Sequence, residues 1–243
     1  MSGDEQPQRF TFDVIGVVHS PFKEKFGIPR QPGLVTAAQA TIELLPPYDR
    51  DEAVRGLDGF SHLWISFVFH GVPQGEWSPT VRPPRLGGNQ RLGVFATRST
   101  HRPNPIGLSV VELINIKRKE GRLLLYINGA DLLDGTPVLD IKPYVPYVDS
   151  IPDARGGFAA ELPQPQLRVE FSDQAAAVCA ARATELPQLR QFIEQMLQLD
   201  PRPAYRDETA GERTYGVRVF DCNVRWQVHG DVVQVIAIEP TTE

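Results

Sequence analysis

The chain has 243 residues, of which 41% are hydrophobic and 23% are charged, and its formal net charge is −5 at pH 7. This length allows one large or two small domains with a core that needs no disulfides, and the negative charge argues against general nucleic-acid binding by the whole surface. The two cysteines, Cys179 and Cys222, are far apart, which argues against a zinc site. The polar residues 1–8 are unlike a signal peptide, and no apolar run approaches the roughly 18 residues of a membrane helix. We therefore expect a cytoplasmic protein with no metal and no membrane span.

Short segments rich in β-branched and aromatic residues, bounded by turn-forming residues, occupy the first half of the chain. They predict strands at residues 12–19, 41–45, 63–69, 91–97, 109–117, 123–127 and 138–141, with one short helix at 49–57. Because no helix of ten or more residues separates these strands, the pattern favours a β-barrel or sandwich over a doubly wound α/β fold. We predict a β-barrel domain at residues 9–150.

Prolines and glycines then become frequent, and they predict a linker at residues 151–165. The next segment predicts an alanine-rich helix at 173–185, with Ser172 as its N-cap, and a second helix from Pro187 to Asp200 with one apolar face. Three short strands at 215–220, 224–228 and 232–238 predict a meander. A small α+β domain at residues 166–240 follows, and the whole chain is predicted to be α+β and mainly β.

An arginine-rich stretch at residues 82–102 stands out in this acidic chain because it contains no acidic residue. The planar guanidinium groups match phosphate and carboxylate oxygens, and the prolines around them stiffen the loops. The other interpretation is a set of solvated arginines on the surface of a β protein. The arginines of this stretch are Arg82, Arg85, Arg91, Arg98 and Arg102.

Three further segments carry chemical groups on constrained backbone. Residues 101–107 contain two X-Pro bonds, which indicate a rigid loop, and Arg30 lies between two prolines in residues 28–33. Asp131 and Asp134 lie in the third segment, where Asp134 alone is more readily explained as a turn residue before Gly135. The sequence lacks the glycine-rich phosphate loops and the GxSxG nucleophile motif of common enzymes.

Taken in order, these motifs resemble the TsaA-like family, called TrmO, over nearly the whole chain. The matching segments are PRQPGL at 29–34, FSHLWI at 60–65, RPPRLGG at 82–88, GVFATRS at 93–99, RPNPIG at 102–107, DLLDG at 131–135, DIKPY at 140–144, DPRPAYR at 200–206 and NVRW at 223–226. The resemblance implies an enzyme that uses S-adenosyl-L-methionine to methylate N6 of N6-threonylcarbamoyladenosine, next to the anticodon of tRNA. It also implies a β-barrel with a small C-terminal domain, and a homodimer whose donor sites lie near the subunit interface.

The resemblance also assigns residues to the donor pocket. Within that set, Arg30 or Arg98 suits the donor's carboxylate, and Asp131 or Asp134 suits its ribose hydroxyls. No general base is identified, and Asp134 is the candidate we name. The assigned donor residues are Pro29, Arg30, Gln31, His70, Arg98, Leu108, Asp131, Leu132, Leu133 and Asp134.

A tRNA substrate requires cations for its phosphates, and the unstacked bases of an anticodon loop can stack on aromatic side chains. The alternatives to a methyltransferase are a non-catalytic RNA-binding β-barrel and a small-molecule hydrolase that uses Asp131 and Asp134. Calorimetry with the donor distinguishes the RNA-binding protein from a methyltransferase, because a pure binding protein should not bind the donor. Turnover without the donor distinguishes the hydrolase from a methyltransferase. The residues expected to contact tRNA are Arg82, Arg85, Arg202, Tyr205, Arg206 and Arg225.

Overall fold

The computed structural model describes residues 8–73, 77–86, 89–164, 167–202 and 213–241. Tyr205 and Arg206 lie outside these residues, and the side chain of Arg85 is not described. The strands of the first half are β1 Gly16–His19, β2 Ala40–Leu44, β3 His62–Val68, β4 Thr80–Val81, β5 Leu92–Gly93, β6 Ile106–Lys119, β7 Arg122–Asn128 and β8 Pro137–Pro143.

Six of these strands form one antiparallel sheet in the order β1-β2-β7-β6-β3-β8, and pairing of β8 with β1 closes it into a barrel. Buried and more exposed residues alternate along the strands, so one face of each strand fills the interior. Glu120 and Gly121 connect β6 and β7 with positive φ angles of 52° and 81°. Such angles suit a two-residue hairpin turn, which fixes the register of these two strands.

The predicted strands at 41–45, 63–69, 109–117, 123–127 and 138–141 are confirmed, with shifted ends. Of the strand predicted at residues 12–19, only the second half is extended, as β1. The strand predicted at 91–97 is wrong, because only β5 is extended and residues Val94–Ala96 form a 3₁₀ turn. The Thr97 hydroxyl donates to the Val94 carbonyl at 2.9 Å and closes that turn.

The helix predicted at 49–57 is also wrong. These residues form successive turns that end in a 3₁₀ turn at Leu57–Gly59. Gly56 has a φ of 83°, a left-handed conformation in which a right-handed helix cannot continue.

The second half contains α1 Pro146–Asp149, β9 Arg168–Phe171, α2 Asp173–Ala181, α3 Leu189–Gln198, β10 Tyr215–Val219, β11 Cys222–His229 and β12 Val232–Pro240. Both long helices, α2 and α3, were predicted, although each is shorter than its predicted range. The Ser172 hydroxyl is the N-cap of α2 and accepts a hydrogen bond from the Ala175 amide. The predicted meander is present as β10-β11-β12, and the sheet gains β9 parallel to β12. The sequence reasoning missed β9, whose four residues follow the predicted linker directly.

Two hydrophobic cores lie side by side. One fills the barrel, and the other lies between α2, α3 and the second sheet. Phe22 and Val35, from the connection between β1 and β2, belong to the second core, where the Phe22 ring lies 5.3 Å from that of Phe192. The β1–β2 connection is therefore anchored on the C-terminal sheet, and its middle, residues 27–33, is held beside one end of the barrel.

Candidate active site

A cavity of about 600 Å³ opens at the end of the barrel where β3 ends, β6 begins and the β7–β8 connection crosses. We call it the barrel-end cavity. Its walls come from four segments that are distant in sequence: the β1–β2 connection, residues 67–72, residues 97–109, and residues 131–136. Its volume lies within the range of roughly 300–1,000 Å³ that is typical of small-molecule sites.

Asp131 is the partly buried carboxylate of this cavity. The Ser109 hydroxyl donates to its Oδ1 at 2.7 Å, and Ser109 is itself buried on β6. Burial raises the pKa of the Asp131 carboxyl from its ordinary 3.8 to about 6, while the bond from Ser109 and the positive charge of Arg98 act in the opposite direction. The group therefore titrates close to neutral pH, and hydrogen-bond donors on a ligand would favour its ionised form.

Polar side chains tie the β1–β2 connection to the other walls. Arg98 donates to the Gln31 side-chain oxygen, and the Gln31 amide donates to the Arg30 carbonyl. The Lys25 ammonium donates to the carbonyl of Gly71, beside His70. These bonds join three separate segments of the chain around the opening of the cavity, and they hold several cations there.

Four residues of the loop predicted at 101–107 line the cavity, namely His101, Arg102, Ile106 and Gly107. The Phe69 amide donates to the Pro105 carbonyl at 2.8 Å, which holds the loop against the end of β3. A Cβ atom on Gly107 would lie 2.2 Å from Cζ of Phe67, so only glycine fits beneath that ring. Because the Phe67 ring lines the cavity and packs edge-on against Phe69 at 5.1 Å, this glycine determines the shape of the wall.

The structure brings together all of the residues that the sequence assigned to the donor pocket except Asp134. The Asp134 carboxylate accepts from the Ser20 amide at 2.8 Å and lies 2.8 Å from the Lys23 ammonium, and it lines a different cavity. Its proposed proton-accepting role stays a prediction. The residues that do line the barrel-end cavity are Pro29, Arg30, Gln31, His70, Arg98, Leu108, Asp131, Leu132 and Leu133.

Sequence reasoning missed part of this lining. Phe67 and Thr97 also face the cavity, and neither carried a signal, because one sits in a regular strand and the other in a segment predicted to be a strand. Lys25 also lines it and was not among the residues predicted for the site.

A second cavity, of about 1120 Å³, adjoins the first, and we call it the linker cavity. The two share Lys25, residues 28–31, Thr97 and Arg98 as a common wall. The opposite wall includes five residues of the segment predicted to be a linker, together with Met196 of α3 and residues 199–202. The five are Gly156, Phe158, Ala159, Pro163 and Gln164.

The expected tRNA contacts are dispersed. Arg82 is exposed. Arg202 Nε lies 2.7 Å from Asp200 Oδ1 in a largely buried pair, with side-chain exposures of 11% and 3%. Arg225 lies 3.8 Å from Glu239 at the surface. Arg202 and Arg225 therefore have acidic partners within the chain, and their tRNA contacts remain predictions.

No group of three or more His, Cys, Asp and Glu side chains among the described residues is arranged to hold a metal ion. In the same part of the chain, no helix combines the length and the apolar character needed to cross a membrane.

Comparisons with known proteins agree over almost the full length. The tRNA-methyltransferase O N-terminal domain model matches residues 17–150, and the TrmO C-terminal domain model matches residues 164–241. The chain is 51% identical to the tRNA (adenine(37)-N6)-methyltransferase of Escherichia coli (strain K12), covering 95% of this chain and 98% of that protein. It is 38% identical to a "Probable S-adenosyl-L-methionine-binding protein" of Pyrococcus abyssi, covering 63% of this chain and 77% of that one.

Solved structures show the same relationship. A crystal structure of TrmO from Pseudomonas aeruginosa has a TM-score of 0.77 and 44% sequence identity, covering 95% of this chain and 98% of that chain. The chain belongs to the TrmO family.

Proposed function

We propose that the protein transfers a methyl group from S-adenosyl-L-methionine to N6 of N6-threonylcarbamoyladenosine, the base next to the anticodon of tRNA. The observation that carries this proposal is the barrel-end cavity, in which residues from four distant segments meet around one partly buried carboxylate and several cations. Membership of a family with tRNA (adenine(37)-N6)-methyltransferases supports the reaction and the substrate. A tRNA substrate also supports a cytoplasmic location.

The residues of the barrel-end cavity fit the donor. Asp131 offers carboxylate oxygens to ribose hydroxyls, and Arg30 or Arg98 offers a planar guanidinium to the amino-acid carboxylate. Leu132 and Leu133 offer apolar surface and backbone groups to the adenine base of the donor. When bound, the donor supplies a methyl group on a positively charged sulfur, which is activated for displacement.

The chain's own contribution is mainly positioning. The acceptor nitrogen is amide-like and a weak nucleophile, so fixing it in line with the methyl group is the largest effect that the protein can supply. The hydrogen bonds among Lys25, Gly71, Gln31 and Arg98 stiffen the wall that both cavities share. A stiff wall reduces the entropy lost when donor and acceptor are aligned.

We also propose the division of labour between the two halves. Residues 9–150 bind the donor, residues 166–240 contact tRNA, and residues 151–165 link them. The two separate hydrophobic cores support this division. Phe22 and Val35 of the first half belong to the second core, so the two halves are packed against each other beside the site.

A homodimer is the further part of the proposal. Ile106, Leu108 and Val110 alternate along the outward face of β6, next to Trp64 on β3, and Leu108 is 53% exposed although it lines the cavity. A second copy covering this face would complete the cavity wall. In sedimentation velocity, Ile106→Glu should give monomers. Ile114→Glu, about 26 Å further along the same strand, is the matched control and should leave the dimer intact.

The proposal as a whole is tested by incubating the purified protein with isotopically labelled donor and tRNA that carries the threonylcarbamoyl group. We expect stoichiometric incorporation of label. Donor binding measured by calorimetry without any incorporation would favour a binding protein over an enzyme.

A further inference from the structure

Apart from the wall that it shares with the barrel-end cavity, the linker cavity holds no residue assigned to the donor, yet it is the larger of the two. Arg98 and residues 28–31 face both spaces. A transfer reaction needs two ligands whose reacting atoms meet, and two adjoining cavities provide that arrangement.

The far wall of the linker cavity comes from the segment that the sequence marked only as a connection. Its 3₁₀ turn Gly157–Ala159 lies against the turn Pro84–Leu86 of the arginine-rich stretch. This contact places Phe158 in the cavity wall, where its side chain is 39% exposed. The segment is therefore part of a binding surface as well as a connection.

A second aromatic side chain lines the same cavity. Phe95 is 76% exposed, and the Arg102 guanidinium lies 5.9 Å from the centre of its ring. Arg102 is itself held by a 2.8 Å bond to the Thr97 carbonyl. Exposed aromatic rings in a concave site are suited to stacking an unpaired base.

Most of the charged side chains that line the linker cavity are positive. Among the described residues, the charged side chains that line it are one carboxylate, Asp200, and four cations, Lys25, Arg30, Arg98 and Arg202. Arg202 pairs with Asp200 at 2.7 Å, and the other three cations of the lining also line the barrel-end cavity, so these positive side chains cluster on the shared wall. An anionic group would be stabilised there, close to the site of transfer.

We infer that the linker cavity binds the acceptor as an extruded adenine base with an anionic amino-acid substituent, Phe158 and Phe95 contacting the base and the shared cationic wall contacting the carboxylate. This inference rests on the proposed function and extends it to residues that select the substrate. Because Phe158 does not line the barrel-end cavity, its removal should affect acceptor binding and leave donor binding unchanged.

The test compares Phe158→Ala, Phe158→Tyr and the control Phe60→Ala in the full-length protein. Phe60 has the same 39% exposure and lines neither cavity. Dissociation constants for a synthetic anticodon stem-loop with N6-threonylcarbamoyladenosine are measured by fluorescence anisotropy, and donor affinity is measured by calorimetry. We expect Phe158→Ala to weaken stem-loop binding by tenfold or more, the range for loss of one base–aromatic stack, with donor affinity within twofold. Phe158→Tyr should retain wild-type stem-loop affinity.

A second stem-loop, in which the threonyl carboxylate is converted to a neutral amide, tests the charge. The wild-type protein should bind it several-fold more weakly than the acid. Equal affinity for both stem-loops, or Phe158→Ala behaving like Phe60→Ala, would overturn the inference, as would an equal loss of donor affinity. A wild-type protein that methylates no tRNA would instead overturn the proposed function, so the two failures are distinct.

Discussion

Replacement of Asp131 by asparagine should make the ligand-free protein more stable than the wild type, by a margin that grows as the pH rises. The same replacement should weaken donor binding. Asparagine has nearly the same shape, and its side-chain oxygen still accepts from Ser109, but it has no charge to bury. In the wild type, the folded-state pKa of Asp131 is raised by burial from 3.8 to about 6. The favourable contribution of this group is therefore complete below pH 4 and is lost as the pH rises through 6.

The size of the effect follows from the pKa. The rise in the pKa of Asp131 from 3.8 to about 6 corresponds to about 3 kcal/mol, which is the free-energy cost of burying the ionised carboxylate above pH 6. The Asp131→Asn variant avoids this cost. Its advantage in free energy of unfolding over wild type should grow from near zero at pH 4 to about 3 kcal/mol at pH 8.

Urea unfolding of both proteins between pH 4 and pH 8, without donor, measures this difference. Donor affinity should change in the opposite sense, because charge-assisted hydrogen bonds to the ribose are lost, and a fall of roughly 10- to 100-fold is expected at pH 8. A stability difference that does not vary with pH would refute the assignment of Asp131 as the buried titrating group. Unchanged donor affinity would refute its contact with the donor.

Three other substitutions test the site. Ser109→Ala removes the hydrogen bond that favours ionised Asp131, so the pH midpoint of donor binding should move upward in calorimetry; an unmoved midpoint would contradict this. Gly107→Ala forces the Phe67 ring to shift, so its free energy of unfolding, measured by chemical denaturation, should fall by about 1–3 kcal/mol and donor binding should weaken. A wild-type denaturation midpoint would contradict the close contact. Arg202→Ala leaves buried Asp200 without this partner and should cost about 3–5 kcal/mol. Thermal unfolding should show partial recovery in the double variant with Asp200→Asn, and no recovery would mean that Arg202 stabilises the protein by other contacts.

The parts of the fold that depend on local pattern could be predicted from the sequence. The alternation of buried and exposed residues in β3 and β7, and the three- and four-residue spacing of apolar residues in α3, are properties of single segments. The pairing of β8 with β1, and of β9 with β12, depends on segments far apart in the chain. No local pattern specifies such pairings, so the sequence could not assign them.

The two aspartates of the 131–135 segment show the same limit at the site. They are three residues apart and chemically identical, and either one suited the donor's ribose. Ser20 and Lys23, more than a hundred residues earlier, hold Asp134 away from the barrel-end cavity, whereas Ser109 holds Asp131 within it. The choice between the two depends on partners that become neighbours only after folding.

The predicted linker at residues 151–165 was also only partly predictable. Its prolines and glycines indicated an interruption of regular structure, and residues 151–164 contain no helix or strand apart from the 3₁₀ turn Gly157–Ala159. They gave no sign that Phe158 would line a cavity shared with Arg98, because that placement depends on the contact between the 3₁₀ turns at 157–159 and 84–86.

The proposed reaction is tested most directly by locating the transferred methyl group. After reaction of the purified protein with donor and tRNA that carries N6-threonylcarbamoyladenosine, the tRNA is digested to nucleosides and analysed by mass spectrometry. We expect one added methyl group on N6-threonylcarbamoyladenosine and none on the same tRNA prepared without the threonylcarbamoyl group. Methylation of another nucleoside, equal methylation of both tRNAs, or no methylation of either would contradict the proposed reaction.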